Sequence, residues 1–259
     1  MKKRICIAAA FALLLSLTAC TRDEPLPTET GAPTETAVTE ATTEAPTEEA
    51  TQVTSEPSEE LKGTVIGKGS TLYRNDLGAV WLSAWVTVQN DAAVPISLPA
   101  MDLTATMNDG STKLLAGVTA YPNILAAGEI GCYYEETRVD TDQTGAAELT
   151  FTLAPQPASE DAVQRYTVSE QTQLRDSVYG GLTLIGEVKN DTKQDSEGMI
   201  CVAAVLYGED GNVLSVLYTY LSDVLPAGES VGFTLDSFML PADITADTVT
   251  RTEIFAYPA

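Results

Sequence analysis

Residue types that commonly carry catalysis are poorly represented in this chain of 259 residues. It contains no histidine, which excludes Ser-His-Asp and Cys-His nucleophilic systems and removes the usual zinc ligand. Asp and Glu number 37 against 14 Lys and Arg, and a pair of carboxylates could hydrolyse a glycosidic bond. The acids fall at predicted turns, however, as in Glu209-Asp210 and Asp140-Thr141-Asp142. Turn formation explains them better than catalysis, so we predict that the protein is not an enzyme.

The segment that begins at Asp140 also starts like a calcium-binding loop. Asp140, Asp142, Thr144 and Gly145 stand at the first, third, fifth and sixth positions of such a loop, but Phe151 takes the twelfth, where a bidentate Glu is needed. A weak, irregular calcium site is the alternative that this broken pattern leaves open. We predict no metal ion and no cofactor.

The most informative reactive residue is Cys20. Basic residues at 2–4 and an apolar run at 5–15 precede the tetrad Leu17-Thr18-Ala19-Cys20. This run is shorter than the roughly 18 to 20 residues that cross a bilayer, so it indicates a signal peptide. The alternative to a lipoprotein signal is an ordinary secretory signal followed by a chance Cys. The tetrad resembles the bacterial lipobox, which implies cleavage after Ala19 and attachment of a diacylglycerol, with acyl chains such as palmitate, to Cys20. We therefore expect a lipid-anchored protein on the extracytoplasmic face of a bacterial cell membrane.

Two tryptophans and two further cysteines could serve binding or redox chemistry. Trp81 and Trp85 lie two alternations apart on one predicted strand face, which either packs against a facing sheet or displays the indoles to a glycan or protein. Cys132 and Cys201 could form a disulfide only if their Cα atoms came within about 7 Å. Two separate buried thiols are the simpler expectation.

The elements that carry these residues begin after a compositional change. Residues 21–61 are rich in Thr, Glu and Pro and contain no aromatic side chain, so they cannot bury enough apolar surface to fold. We predict a disordered acidic tether. The whole chain has a net charge of −23, which disfavours nucleic acid as a partner because like charges repel the phosphate backbone.

The remaining chain contains an internal repeat with an offset of about 100 residues. Several matches in the same order predict two modules, at 62–158 and 162–259, each of ordinary domain size. The matched pairs are Leu125-Ala-Ala-Gly-Glu129 with Leu225-Pro-Ala-Gly-Glu229, Val88-Gln-Asn-Asp91 with Val188-Lys-Asn-Asp191, Leu82 with Leu182, and Asn108-Asp-Gly110 with Glu209-Asp-Gly211.

Both modules show the period of two that is typical of β-strands. Apolar residues alternate with more polar ones over residues 80–89 and 182–188, and again at 149–153, 231–235 and 254–257. Residues 200–207 are continuously apolar, and a Gly-rich turn at 208–212 separates them from residues 213–221, which predicts a hairpin. The fold class is therefore all-β, with one small antiparallel sandwich per module.

The second module resembles the FxLYD domain of bacterial extracytoplasmic proteins. The resemblance rests on Gly186-Glu-Val-Lys-Asn190, Leu206-Tyr207 before an acidic turn, and Leu225-Pro-Ala-Gly-Glu229. Ala204 and Gly208 stand where the family has Phe and Asp. The resemblance implies two tandem immunoglobulin-like sandwiches, the first through the repeat, on a lipoprotein without catalytic residues.

Together these features predict a membrane-anchored, non-catalytic interaction or envelope-associated module. Its expected partners are the membrane, through the lipid, and a cell-wall or surface protein or glycan. The alternatives are a solute-binding lipoprotein of a transport system and a carboxylate-dependent glycan hydrolase. The short link from Pro157 to Ala162 predicts only a shallow junction between the modules unless they pack closely.

Overall fold

A computed structural model describes residues 62–75, 77–178, 180–237 and 240–259 of the chain. The predicted signal peptide, Cys20 with its Leu17-Thr18-Ala19 motif, and the predicted tether lie outside these residues. Within the described part, no helix is long and apolar enough to span a membrane.

The described residues form antiparallel β-structure, which confirms the all-β prediction. Two short 3₁₀ turns, at Glu160–Ala162 and Ala246–Thr248, are their helical elements. The strands are β1 (Gly63–Arg74), β2 (Val80–Asn90), β3 (Ile96–Ser97), β4 (Met101–Thr106), β5 (Thr112–Val118), β6 (Ala120–Tyr121), β7 (Ile124–Leu125), β8 (Ile130–Val139), β9 (Glu148–Phe151), β10 (Gln156–Pro157), β11 (Thr167–Val168), β12 (Gln173–Asp176), β13 (Leu182–Lys189), β14 (Ile200–Tyr207), β15 (Val213–Leu221), β16 (Ser230–Ser237) and β17 (Arg251–Pro258).

The strands form four principal sheets, named here by module and by position. Inner sheet 1 has the order β1-β2-β8-β6, and outer sheet 1 has the order β5-β4-β9. Inner sheet 2 has the order β15-β14-β17, whereas in outer sheet 2 the central β13 pairs with β11 and β12 on one side and with β16 on the other. A small sheet, β10-β3-β7, joins the first module. Each described sheet takes its strands from one predicted module.

Each module encloses an apolar core between its two sheets. On β2, alternate residues from Val80 to Val88 point into the first core, where they meet Leu103 of β4 and Leu149 of β9. Leu184 of β13 and Leu206 of β14 belong to the corresponding second core. The observed alternation is the period-two pattern of the sequence, because successive side chains of a strand point to opposite faces.

The repeat is visible in the backbone hydrogen bonds of equivalent turns. Met107 N–H donates to Ser111 O in the first module, and Gly208 N–H donates to Asn212 O in the second. A few residues before β2 and β13, Asn75 N–H donates to Ala79 O as Ser177 N–H donates to Gly181 O. These pairs make β4-β5 equivalent to β14-β15, and β1-β2 equivalent to β12-β13.

A buried asparagine explains the strongest matches of the repeat. Asn90 is fully buried, and its Nδ2 donates to the carbonyls of Val94, Leu125 and Ala126. Asn190 is also fully buried, and its Nδ2 donates to Gln194 O and Leu225 O at 2.8 Å each. A buried amide is costly unless its donors are satisfied. The two Leu-x-Ala-Gly-Glu turns therefore recur because they supply carbonyls to this side chain.

Candidate functional site

The two inner sheets pack against each other and form a third core between the modules. Its buried members from module 1 are Trp85, Tyr121, Cys132 and Tyr134, and those from module 2 are Cys201, Ala203, Val205, Tyr207, Val213, Val216 and Tyr257. Burial of each large apolar side chain is worth roughly 1.5 to 3 kcal/mol. The modules therefore pack closely, which is the exception that the predicted shallow junction left open, and the described body is a stack of four sheets: outer 1, inner 1, inner 2 and outer 2.

Strand β14 occupies the centre of this stack and is buried on both faces. Ile200, Val202 and alternate residues beyond them enter the second core, whereas Cys201 and Ala203 enter the third. A strand covered on both faces has no polar face to present, so the uninterrupted apolar run at 200–207 follows from this position.

The predicted binding face of Trp81 and Trp85 lies on the side of β2 that faces module 2. Trp85 is 7% exposed, and its indole lies against β1, where a Cβ added to Gly69 would be 2.8 Å from the ring. Trp81 is half-buried, and its Nε1 is buried with no hydrogen-bond partner among the described residues. Of the two alternatives for this face, Trp85 is packed and not displayed. The surface that covers it belongs to module 2 and not to the facing sheet of its own module.

Both cysteines of the body lie in the third core as free, buried thiols. Burial raises the pKa of the Cys201 thiol and, to a larger extent, that of Cys132. A thiol with a raised pKa is a poor nucleophile at neutral pH because the thiolate is the reactive form. Their environment is that expected for two separate, buried thiols.

Several polar groups at or beside the third core take part in hydrogen bonds. Tyr134 Oη lies 3.5 Å from Ser215 Oγ of the other module. On the same face of inner sheet 1, the Tyr73 hydroxyl donates to the Glu136 carboxylate. Burial raises the pKa of Glu136 to about 7, although the hydrogen bond from Tyr73 opposes this shift.

Among the described residues, the carboxyl groups whose pKa is raised do not converge on one cleft. Burial also raises the pKa of Glu135, but Glu135 and Glu136 are consecutive residues of β8. Successive side chains of a strand point to opposite faces, so these two cannot flank one glycosidic bond as an acid and a nucleophile.

The calcium-like segment takes part in other interactions. Arg74 Nη2 lies 3.4 Å from Asp142 Oδ1 across an exposed ion pair, and Gly145 pairs with Leu72 of β1. Among the described residues, no group of three or more His, Cys, Asp or Glu side chains could hold a metal ion.

Arg165 connects the modules beside the third core. Its Nη2 donates to Ile124 O at 2.6 Å and to Glu129 Oε2 at 2.7 Å. A cavity of about 270 Å³ adjoins it, lined by Asn123, Ile124, Asp161, Ala162, Gln164, Arg165, Glu197, Tyr257 and Pro258. Sequence reasoning did not identify this site, since an isolated Arg carries no pattern.

The open edge of inner sheet 2 carries an exposed aromatic surface, called here the tyrosine edge and formed by Tyr218 and Tyr220 of β15. They are 49% and 47% exposed. Tyr218 stacks on Tyr121 of module 1 at 5.1 Å between ring centroids, and Tyr220 meets Tyr218 edge to face at 5.9 Å. In the sequence, two tyrosines spaced by one residue in a predicted strand were the available signal for this surface. Their alternation showed that they share a face but not that this face is exposed.

Depressions also lie on the described surface away from the junction, and two of them differ in character. One, of about 300 Å³, adjoins the tyrosine edge and is lined by Tyr220, Leu221, Ser222, Asp223, Val224, Leu225, Val231 and Gly232. The other is an open groove of about 620 Å³ on outer sheet 1, with Thr104, Thr150 and Thr152 among its lining residues. The first combines an exposed aromatic ring with polar groups, whereas the second mixes threonines with apolar residues such as Met101 and Phe151.

Comparisons with known proteins give no relative to guide the choice among these sites. No family model, no curated protein and no solved structure matches the chain.

Proposed function

We propose that this protein is a lipid-anchored, non-catalytic interaction module on the extracytoplasmic face of a bacterial membrane. In this proposal residues 1–19 are a signal peptide, Cys20 carries the lipid, and residues 21–61 hold the body away from the membrane. The support is the lipobox-like tetrad, the acidic composition of the tether, and the FxLYD-like motifs of an immunoglobulin-like lipoprotein domain.

The observation that carries the interaction role is the exposed tyrosine edge. Tyrosine is enriched at binding surfaces because its ring offers a large apolar area at a low entropic cost and its hydroxyl can form hydrogen bonds. Tyr121 of module 1 packs against Tyr218 of this surface, and a surface that is ordered before binding lowers the entropic cost of binding.

The anchor is tested by growing cells with labelled palmitate and comparing the unaltered chain with Cys20→Ala. We expect the label and the membrane fraction to retain the unaltered chain and to lose the variant. A variant that still partitions with membranes would contradict the anchor.

The interaction role is tested by photo-crosslinking on living cells. A photoreactive residue at position 220 should capture a defined partner, whereas the same residue at the exposed position 178 of a hairpin tip serves as the control. Equal captures at both positions would argue against a specific surface at the tyrosine edge.

A solute-binding lipoprotein is the second candidate, because the cavity beside Arg165 lies at the junction of the modules. Its volume of about 270 Å³ falls below the roughly 300 to 1,000 Å³ that is usual for ligand pockets. The Arg165 guanidinium is also already paired with Glu129. Both facts count against this cavity as a solute site, and a thermal-shift screen of small solutes that found a ligand lost in Arg165→Gln would favour the second candidate.

A further inference from the structure

The exposed apolar side chains near the end of β15 form one continuous feature. Tyr218, Tyr220 and Val224 are each about half exposed or more, and all three lie within a segment of seven residues. Apolar surface that is clustered in this way marks a contact site more often than scattered residues do. The third-core residue Tyr121 supports it from below, because its ring stacks on Tyr218.

The cavity beside Tyr220 adds polar groups to this surface. Val224 and Val231 line its apolar part, whereas Ser222 and Asp223 bring a hydroxyl and a carboxylate. Its volume of about 300 Å³ lies at the lower end of the range for ligand pockets, which suits one or two units of a longer molecule.

We propose, as an extension of the proposed interaction function, that the tyrosine edge and this cavity bind a neutral or cationic polysaccharide. The C–H face of a pyranose ring packs on an aromatic ring through dispersion, and sugar hydroxyl groups donate to carboxylate and hydroxyl oxygens. Tyr218 and Tyr220 offer the first interaction, and Ser222 and Asp223 offer the second.

The charge of the chain selects among polysaccharides. With a net charge of −23, the protein repels polymers that carry phosphate or carboxylate groups, and this repulsion weakens as salt screens it. Neutral chains avoid the repulsion, and chains with free amino groups gain an attraction.

The test titrates the full chain with three hexasaccharides and follows binding by calorimetry. Chitohexaose is neutral, its deacetylated form is cationic, and hexagalacturonate is anionic. We expect the first two to bind and the third to bind at least about tenfold more weakly. Tyr218→Ala and Tyr220→Ala should each weaken binding by about fivefold or more, as aromatic anchors of an interface do.

Matched variants separate binding from folding. Leu114→Ala on β5 and Val178→Ala in a hairpin tip also remove exposed apolar side chains and should leave affinity within about twofold, as peripheral contacts do. Tyr220→Phe keeps the ring and should retain most of the affinity. Unchanged unfolding of Tyr220→Ala, measured by circular dichroism, would show that its loss of binding is local.

If none of the three sugars bound, the inference would be overturned. An affinity that is unchanged in both Tyr218→Ala and Tyr220→Ala would also overturn it. A protein captured at position 220 on cells, without any sugar binding, would leave the interaction function standing and refute the polysaccharide. Loss of both the captures and the sugar binding would refute both proposals.

Discussion

Outer sheet 1 and inner sheet 2 are equivalent sheets of the two modules, yet their faces away from the module cores differ in composition. On outer sheet 1 this face carries Thr104 of β4 and Thr150 of β9, which pair across the sheet. On inner sheet 2 the corresponding face carries Ala203 and Val205 of β14, which belong to the third core. An apolar face must be buried and a threonine face need not be, so only one of the equivalent sheets became an interface.

The same contrast holds for the other pair of equivalent sheets. Inner sheet 1 presents Trp85 to the junction, whereas β13 of outer sheet 2 presents the half-buried Ile185 and the exposed Glu187. The modules thus meet through non-equivalent faces, which is a heterologous contact.

The largest expected effect comes from substituting one residue of this comparison. Trp85→Ala should lower the free energy of unfolding by about 4 kcal/mol, because it removes a large buried ring and leaves a cavity. Ile185→Ala, at the equivalent position of module 2, should cost about 1 kcal/mol or less. Urea denaturation followed by circular dichroism would measure both, and equal losses would contradict the assigned junction.

The buried asparagines provide a comparison in which the modules should behave alike. Asn90→Ala and Asn190→Ala should each cost about 2 to 3 kcal/mol, since each leaves buried backbone carbonyls without a donor. The same denaturation experiment measures both variants. A large loss in one module and none in the other would show that the two buried amides are not equivalent.

A threonine placed on the third-core face of inner sheet 2 and a valine placed on the solvent face of outer sheet 1 should have unequal effects on stability. Val205→Thr should destabilise the protein by about 1 to 2 kcal/mol, because it places a hydroxyl in the third core. Thr104→Val, on the solvent side of outer sheet 1, should change stability by less than about 0.5 kcal/mol. If Val205→Thr proved neutral, the hydroxyl would have to find a partner across the junction.

The smallest predicted effect depends on pH at the junction face of inner sheet 1. Burial raises the pKa of Glu136 from its ordinary value of 4.5 to about 7, so over this range the folded protein holds a proton that the unfolded chain releases. Stability should therefore fall as pH rises from about 4.5 to 7, by about 1 kcal/mol after allowance for partial solvent screening.

Glu136→Gln should remove this dependence, because the amide keeps an oxygen for the Tyr73 hydroxyl but does not ionise. Unfolding of both proteins would be compared at pH 5 and pH 8. A variant that loses as much stability as the unaltered chain over this interval would assign the dependence to another group.

Much of the strand structure was predictable because it depends on local periodicity. The hairpin predicted at 200–207 and 213–221 matches β14 and β15 at the same bounds, since a Gly-rich turn interrupts two apolar runs. The repeat also located Asn90 and Asn190, although their role in holding the turns needed the hydrogen bonds. The partner of the Trp85 face was not predictable, because alternation identifies the residues that share a face but not the surface that covers it.

By itself the sequence determined the all-β class, the positions of the principal strands and turns, and the tetrad at Cys20 on which the anchor proposal rests. These depend on residues that are close in the chain. Only the tertiary structure decided that Trp85 and Val205 would share a core while Tyr218 and Tyr220 stay at an open edge. The physical reason is that burial depends on which faces meet, and these faces belong to strands that are distant in the chain, as Trp85 and Val205 are 120 residues apart.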